Sequence, residues 1–146
     1  AGRQYCRPSI DVLFEEIYVD DKLVLVAEIG ESDTKPHYAL GEDQKWWVYI
    51  RVQDKSVLAG KVVVDVLHRA SRPQGVLIRY TGKEKDLLGY MQQHPRPQLS
   101  ELCEHLQLSR RKTQRILVNL IVAGIVNVHS GDREEYFSLS LPNTPS

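Results

Sequence analysis

The chain has 146 residues, 42% of them hydrophobic, which suits one ordinary domain or two small ones. Its 19 Lys and Arg balance 19 Asp and Glu, yet residues 1–70 carry 9 cations against 12 anions and residues 71–146 carry 10 against 7. No apolar run approaches the roughly 20 residues needed to span a bilayer, no signal-like segment opens the chain, and Cys6 and Cys103 lack metal-ligand spacing. These features predict a cytoplasmic protein with two free thiols, no membrane partner, no metal and no evident small-molecule cofactor. The opening Ala1-Gly-Arg, without a Met, reads as the start of a fragment.

In chain order, Val12–Val19 and Leu23–Ile29 alternate like strands around the turn Asp20-Asp21-Lys22, which predicts a hairpin. A loop with Glu31-Ser-Asp-Thr-Lys-Pro-His-Tyr and Gly41-Glu-Asp leads to a third strand, Trp46–Val52. Trp46 and Trp47 fall on opposite faces of that strand, so at least one indole is expected at the surface, marking a protein interface or a missing domain half. The apolar spacing of Val57, Leu58, Val62, Val63, Val66 and Leu67 predicts a helix over 57–70 lying on the sheet, although Val62-Val63-Val64 also reads as strand. Ser71-Arg-Pro-Gln-Gly75 interrupts both periodicities and reads as a linker, and Val76–Tyr80 looks extended.

The second half has a different pattern. Lys83–Gln93 predicts a helix with Leu87, Leu88 and Met91 inward, stopped by His94-Pro-Arg-Pro. A second helix carries Leu99, Leu102, Cys103 and Leu106 on one face. Ser109 then restarts the chain as an N-cap, because its hydroxyl can accept from the free amides of the next turn. The helix it opens turns Thr113, Ile116, Leu117 and Leu120 inward and leaves Arg111, Lys112, Gln114, Arg115, Val118 and Asn119 outward. Arg110, Arg111, Lys112 and Arg115 fall within six residues with no acid among them, the composition of a helix that meets phosphates and base edges in a major groove. Gly124 ends the helix, and Ile125–His129 and Glu134–Ser140 form a hairpin around Ser130-Gly-Asp-Arg133. Three helices and a hairpin in this order make a winged helix-turn-helix. Duplex DNA is the expected partner. Arg111, Lys112, Gln114 and Arg115 are the base or phosphate candidates, Ser109 and Arg110 the backbone-phosphate candidates, Gln114 and Asn119 possible adenine readers, and Arg133 the cation at the wing tip.

Other chemistry has weak support. His37 beside Glu31 and Asp33 invites a catalytic reading, but a lone loop histidine after Pro36 is better explained by packing. The carboxylates Glu15, Glu16, Asp20, Asp21, Glu28, Glu31, Asp33, Glu42 and Asp43 fall at strand edges and turns and are expected to form a solvated acidic face. Gly60-Lys61 has no glycine five residues upstream and is followed by Val, so no phosphate-binding loop is present, and no Gly-x-Ser-x-Gly element occurs. No catalytic residue is assigned, and the chain is expected not to be an enzyme.

Tyr5-Cys-Arg-Pro-Ser-Ile10, Val24-Leu-Val-Ala-Glu-Ile29, Glu31-Ser-Asp-Thr-Lys-Pro-His-Tyr-Ala39 and Tyr49-Ile-Arg-Val52 together resemble the second half of the Schlafen-type, Alba-like domain of bacterial regulators. The resemblance covers about residues 4–70. It implies a domain that in bacterial members is often followed by a winged helix. The first half of that family's domain, with the carboxylates that contribute to a metal site in its nuclease branch, has no counterpart in this sequence. The expectation is therefore an α+β chain: an Alba-like half domain over 1–70, a linker at 71–75, a winged helix-turn-helix over 76–141 and a tail at 142–146. Its expected role is sequence-specific duplex-DNA binding in a bacterial transcriptional regulator. Because one winged helix covers a short half-site, a homodimer is expected, built through the β-rich half or through Val76–Tyr80 and neighbouring helices. The alternatives are a fragment of a metal-dependent Schlafen-type nuclease and a winged-helix module that binds protein.

Overall fold

The computed structural model describes residues 2–72 and 80–140 and has a mixed α+β fold. The chain forms two compact units, residues 1–49 and 50–146. The expected linker at 71–75 does not divide them. Its residues 73–75, most of the expected extended segment 76–80, and the tail 142–146 lie outside the described residues.

The first unit opens with a short helix α1 (Gly2–Tyr5) and strand β1 (Cys6–Arg7). The expected hairpin follows as β2 (Leu13–Val19) and β3 (Lys22–Glu28), in register from Leu13↔Glu28 to Val19↔Lys22. Asp20 and Asp21 at its tip have φ of 48° and 59°, the left-handed pair of a two-residue turn that matches strand twist. Strand β4 (Tyr38–Leu40) lies antiparallel to both β1 and β5 (Trp46–Val52), and β6 (Lys55–Leu58) extends the sheet to the order β1-β4-β5-β6, with the division between the units falling within β5. The residues expected to be helical at 57–58 are thus strand. Gln53, with φ of 54°, turns the chain back at the end of β5.

Little of the first unit is dry. Among its described residues, Pro36 and Val48 are buried, and all nine carboxylates expected on a solvated face are exposed. Neither tryptophan is exposed, contrary to expectation. The Arg7 guanidinium lies 4.3 Å from the centre of the Trp46 ring, and Trp47 Nε1 donates to the Asp43 carboxylate at 3.1 Å. That hydrogen bond holds the Asp43 carboxyl below its ordinary pKa.

The core belongs to the second unit. Helices α2 (Lys61–Ala70), α3 (Gly82–Gln93), α4 (Leu99–Leu106) and α5 (Arg110–Val122) and the hairpin β7 (Val126–Ser130)–β8 (Glu135–Leu139) enclose Val62, Leu87, Met91, Leu99, Leu102, Leu106, Leu117, Leu120, Val126 and Phe137. Helix α2 therefore joins this core, although its sequence reads as part of the first domain. Helix α3 begins at Thr81, whose backbone amide donates to the Glu84 carboxylate at 3.0 Å while its hydroxyl donates to the same group. Helix α4 ends at Gln107 in the left-handed region (φ 52°, ψ 42°), and the Lys83 ammonium donates to the Leu106 carbonyl at 2.9 Å. The Phe137 amide donates to the Pro97 carbonyl at 3.0 Å, and Gln98 bridges to Tyr136, so the chain entering α4 flanks β8.

Candidate nucleic-acid interface

Helix α5 starts where a cap permits it. The Lys112 amide donates to Ser109 Oγ at 3.4 Å, and the Thr113 hydroxyl donates to the Ser109 carbonyl at 3.3 Å. Thr113, Leu117 and Leu120 are buried and Ile116 half-buried, as the spacing predicts. Ser109, Arg110, Arg111, Lys112 and Arg115 are exposed, and Gln114 is half-buried.

Two residues expected on the outer face are not there. Val118 is buried at 2% exposure, and Asn119 Oδ1 accepts a hydrogen bond from Arg69 Nη1. The physical reason is α2, which packs along the side of α5 that a three-helix arrangement would leave open. A helix flanked on two sides buries consecutive residues, and Leu117 and Val118 are such a pair. The Asn119 side chain, expected to face outward as an adenine reader, is instead engaged by Arg69 of α2.

The same packing builds a feature that the sequence alone does not reveal. Between α2 and α5 an open groove is lined by Lys61, Asp65, Arg69, Arg111, Gln114 and Arg115. Asp65 sits 3.3 Å from Lys61, one turn away on α2, and is the sole carboxylate against four cations among the described lining residues. Lys61 and Arg69 add to the basic set from a separate helix. Their four-and-eight spacing, with Asp65 between, is visible in the sequence, but nothing there places α2 beside α5.

The other predicted cations lie in a different setting. Arg110 and Arg133 line a second groove with Gln98, Ser100, Glu134 and Glu135. Burial raises the Glu135 carboxyl above its ordinary pKa, and the Arg110 charge partly offsets this. Glu135 also lies against the backbone of Gly60, the N-cap of α2, where any Cβ would collide with its carboxylate. At the base of the hairpin tip, Lys55 donates to Asp132 at 2.9 Å. Arg110 and Arg133 thus share their groove with two acids, whereas Arg111 and Arg115 share theirs with Asp65 alone, and Lys112 is exposed.

In the first unit, His37 Nδ1 donates to the Pro8 carbonyl at 2.8 Å, and its Nε2 is a buried atom with no hydrogen-bond partner among the described residues. The histidine ties two loops together, as its position after Pro36 suggests. Among the described residues no three His, Cys, Asp or Glu side chains converge on a metal-sized site, and no helix is long and apolar enough to cross a membrane. Cys6 and Cys103 are unpaired, half-buried thiols.

No family model matches the chain, and neither a curated protein nor a solved structure matches it.

Proposed function

We propose that the second unit is a winged-helix module that binds duplex DNA, as part of a bacterial transcriptional regulator, with α5 as the helix presented to the major groove. The observation that carries this reading is the exposed run Arg111, Lys112 and Arg115 beside Lys61 and Arg69, with one carboxylate in the shared groove. Such a cluster, gathered on two adjacent helices, concentrates positive potential where the total charge of the chain is zero. Phosphate neutralisation falls to Lys61, Arg69, Lys112 and Arg115. Arg111 and Gln114, whose side chains can pair with guanine and adenine edges, are the base-edge candidates. Arg110 and Arg133 contribute less, because Glu134 and Glu135 share their groove.

The test is fluorescence anisotropy of a labelled random duplex over a salt series, comparing the chain with Arg111→Ala/Lys112→Ala/Arg115→Ala. The expected result is binding that weakens steeply with salt, with a slope reduced by about two in the variant, since Lys112 and Arg115 each leave a phosphate without its cation and each such phosphate removes about 0.9. Equal, negligible binding by both proteins at low salt would overturn the reading.

A further inference from the structure

The β2–β3 hairpin exposes apolar side chains on both of its faces. The register puts Phe14, Tyr18, Leu23 and Leu25 on one face, at 65%, 76%, 56% and 61% exposure, and Leu13, Val19, Val24 and Val26 on the other. All seven residues of β3 are exposed, and among the described residues the strand pairs with β2 alone. A two-stranded hairpin is marginal in water by itself, and a long apolar strand with an open edge is a template for another strand.

The pattern of β3 specifies which strand. Its two-residue turn closes on Val19↔Lys22, which makes that a hydrogen-bonded pair, so Lys22, Val24, Val26 and Glu28 direct their amides and carbonyls at β2. Leu23, Leu25 and Ala27 direct theirs outward. An antiparallel copy of β3 centred on Leu25 meets this edge in phase. Leu25 then faces Leu25 and Leu23 faces Ala27 as hydrogen-bonded pairs. Val24 faces Val26 and Lys22 faces Glu28 as the closer, non-hydrogen-bonded pairs. Each end of the pairing joins opposite charges, and everything between them is apolar. The edge of β2 fails the same test: its outward groups belong to Phe14, Glu16 and Tyr18, and a two-fold there sets Glu16 against Glu16.

We infer that β3 is a self-association edge, through which two copies of the chain form a continuous ribbon in the order β2-β3-β3-β2 about a two-fold axis at Leu25. The Glu16 edges on the outside of the ribbon oppose further growth, so the assembly closes at two.

Sedimentation equilibrium of the full chain over a concentration series tests this with Lys22→Glu, Glu28→Lys and the doubly exchanged Lys22→Glu/Glu28→Lys. Within one hairpin these residues oppose Val19 and Leu13, so the exchanges break no charge pair between β2 and β3. The wild type is expected to dimerise, each single variant to weaken the dimer at least ~10-fold by setting like charges opposite at both ends, and the double variant to recover it. A monomer at every concentration, a dimer indifferent to the single variants, or a double variant that stays monomeric would each overturn the inference. The assay contains no DNA, so its failure leaves the proposed function of the second unit standing.

Discussion

Glu135 is a carboxylate in an unfavourable place, half-buried against Gly60 and compensated in part by Arg110. Its folded-state pKa lies above its unfolded value, so ionisation favours the unfolded chain. The penalty is absent while both states are protonated, grows as pH rises past the ordinary carboxylate range, and is complete above the raised folded value. Glu135→Gln is therefore expected to gain stability relative to the wild type between acid and neutral pH in urea unfolding, and Arg110→Ala to lose it over the same interval. Asn119 calls for the opposite separation of stability from binding. Asn119→Ala removes the acceptor of the partly buried Arg69 guanidinium, and a loss of about 1–2 kcal/mol is expected with the salt slope of DNA binding unchanged. Lys61→Ala should invert that outcome. Its ion pair with Asp65 is exposed and worth little, so stability should stay within about 0.5 kcal/mol while the salt slope falls by about one.

At the scale of elements, the helix ends carry the local chemistry that the sequence advertises. Gly124 follows α5 at φ 75°, with its amide donating to the Ile121 carbonyl at 2.9 Å. Gly124→Ala forces a Cβ into the left-handed region and is expected to cost about 1 kcal/mol in thermal unfolding, although the space around it is open. Such signals make α4, α5 and the β7–β8 hairpin readable to within a residue or two: Ser109 as cap, Gly124 as stop, and apolar residues at three-and-four spacing between them. Gln107 gives no such signal, because glutamine rarely marks a left-handed helix end. Helix α2 misleads for another reason. Pro73 and Gly75 look like a domain boundary, and local sequence cannot show that Val62 joins the same core cluster as Leu87 and Phe137, more than 20 positions away. From that one displacement follow both errors in the candidate interface, the outward placement of Val118 and of Asn119, and also the omission of Lys61 and Arg69.

Over the whole chain, charge and burial divide together. Residues 1–49 hold 5 Lys and Arg against 10 Asp and Glu, and residues 50–146 hold 14 against 9, so a net zero is the sum of −5 and +5. The hydrophobic core cluster lies entirely within the second unit, whereas among its described residues the first buries Pro36 and Val48 and leaves its longest hairpin open on both faces. Amide protection follows the free energy of the opening that exposes each group, and openings that give up little buried apolar area are the least costly. In native-state hydrogen exchange, the amides of Leu87, Leu102, Leu117 and Leu120 are therefore expected to exchange only by global unfolding, with denaturant dependence matching that of equilibrium denaturation. Amides in β4 and β5 should exchange earlier and with weaker denaturant dependence, because they rely on a sheet with a thin core. A single exchange isotherm shared by both sets would mean that the first unit draws its stability from the core of the second, and the chain would then unfold as one cooperative body.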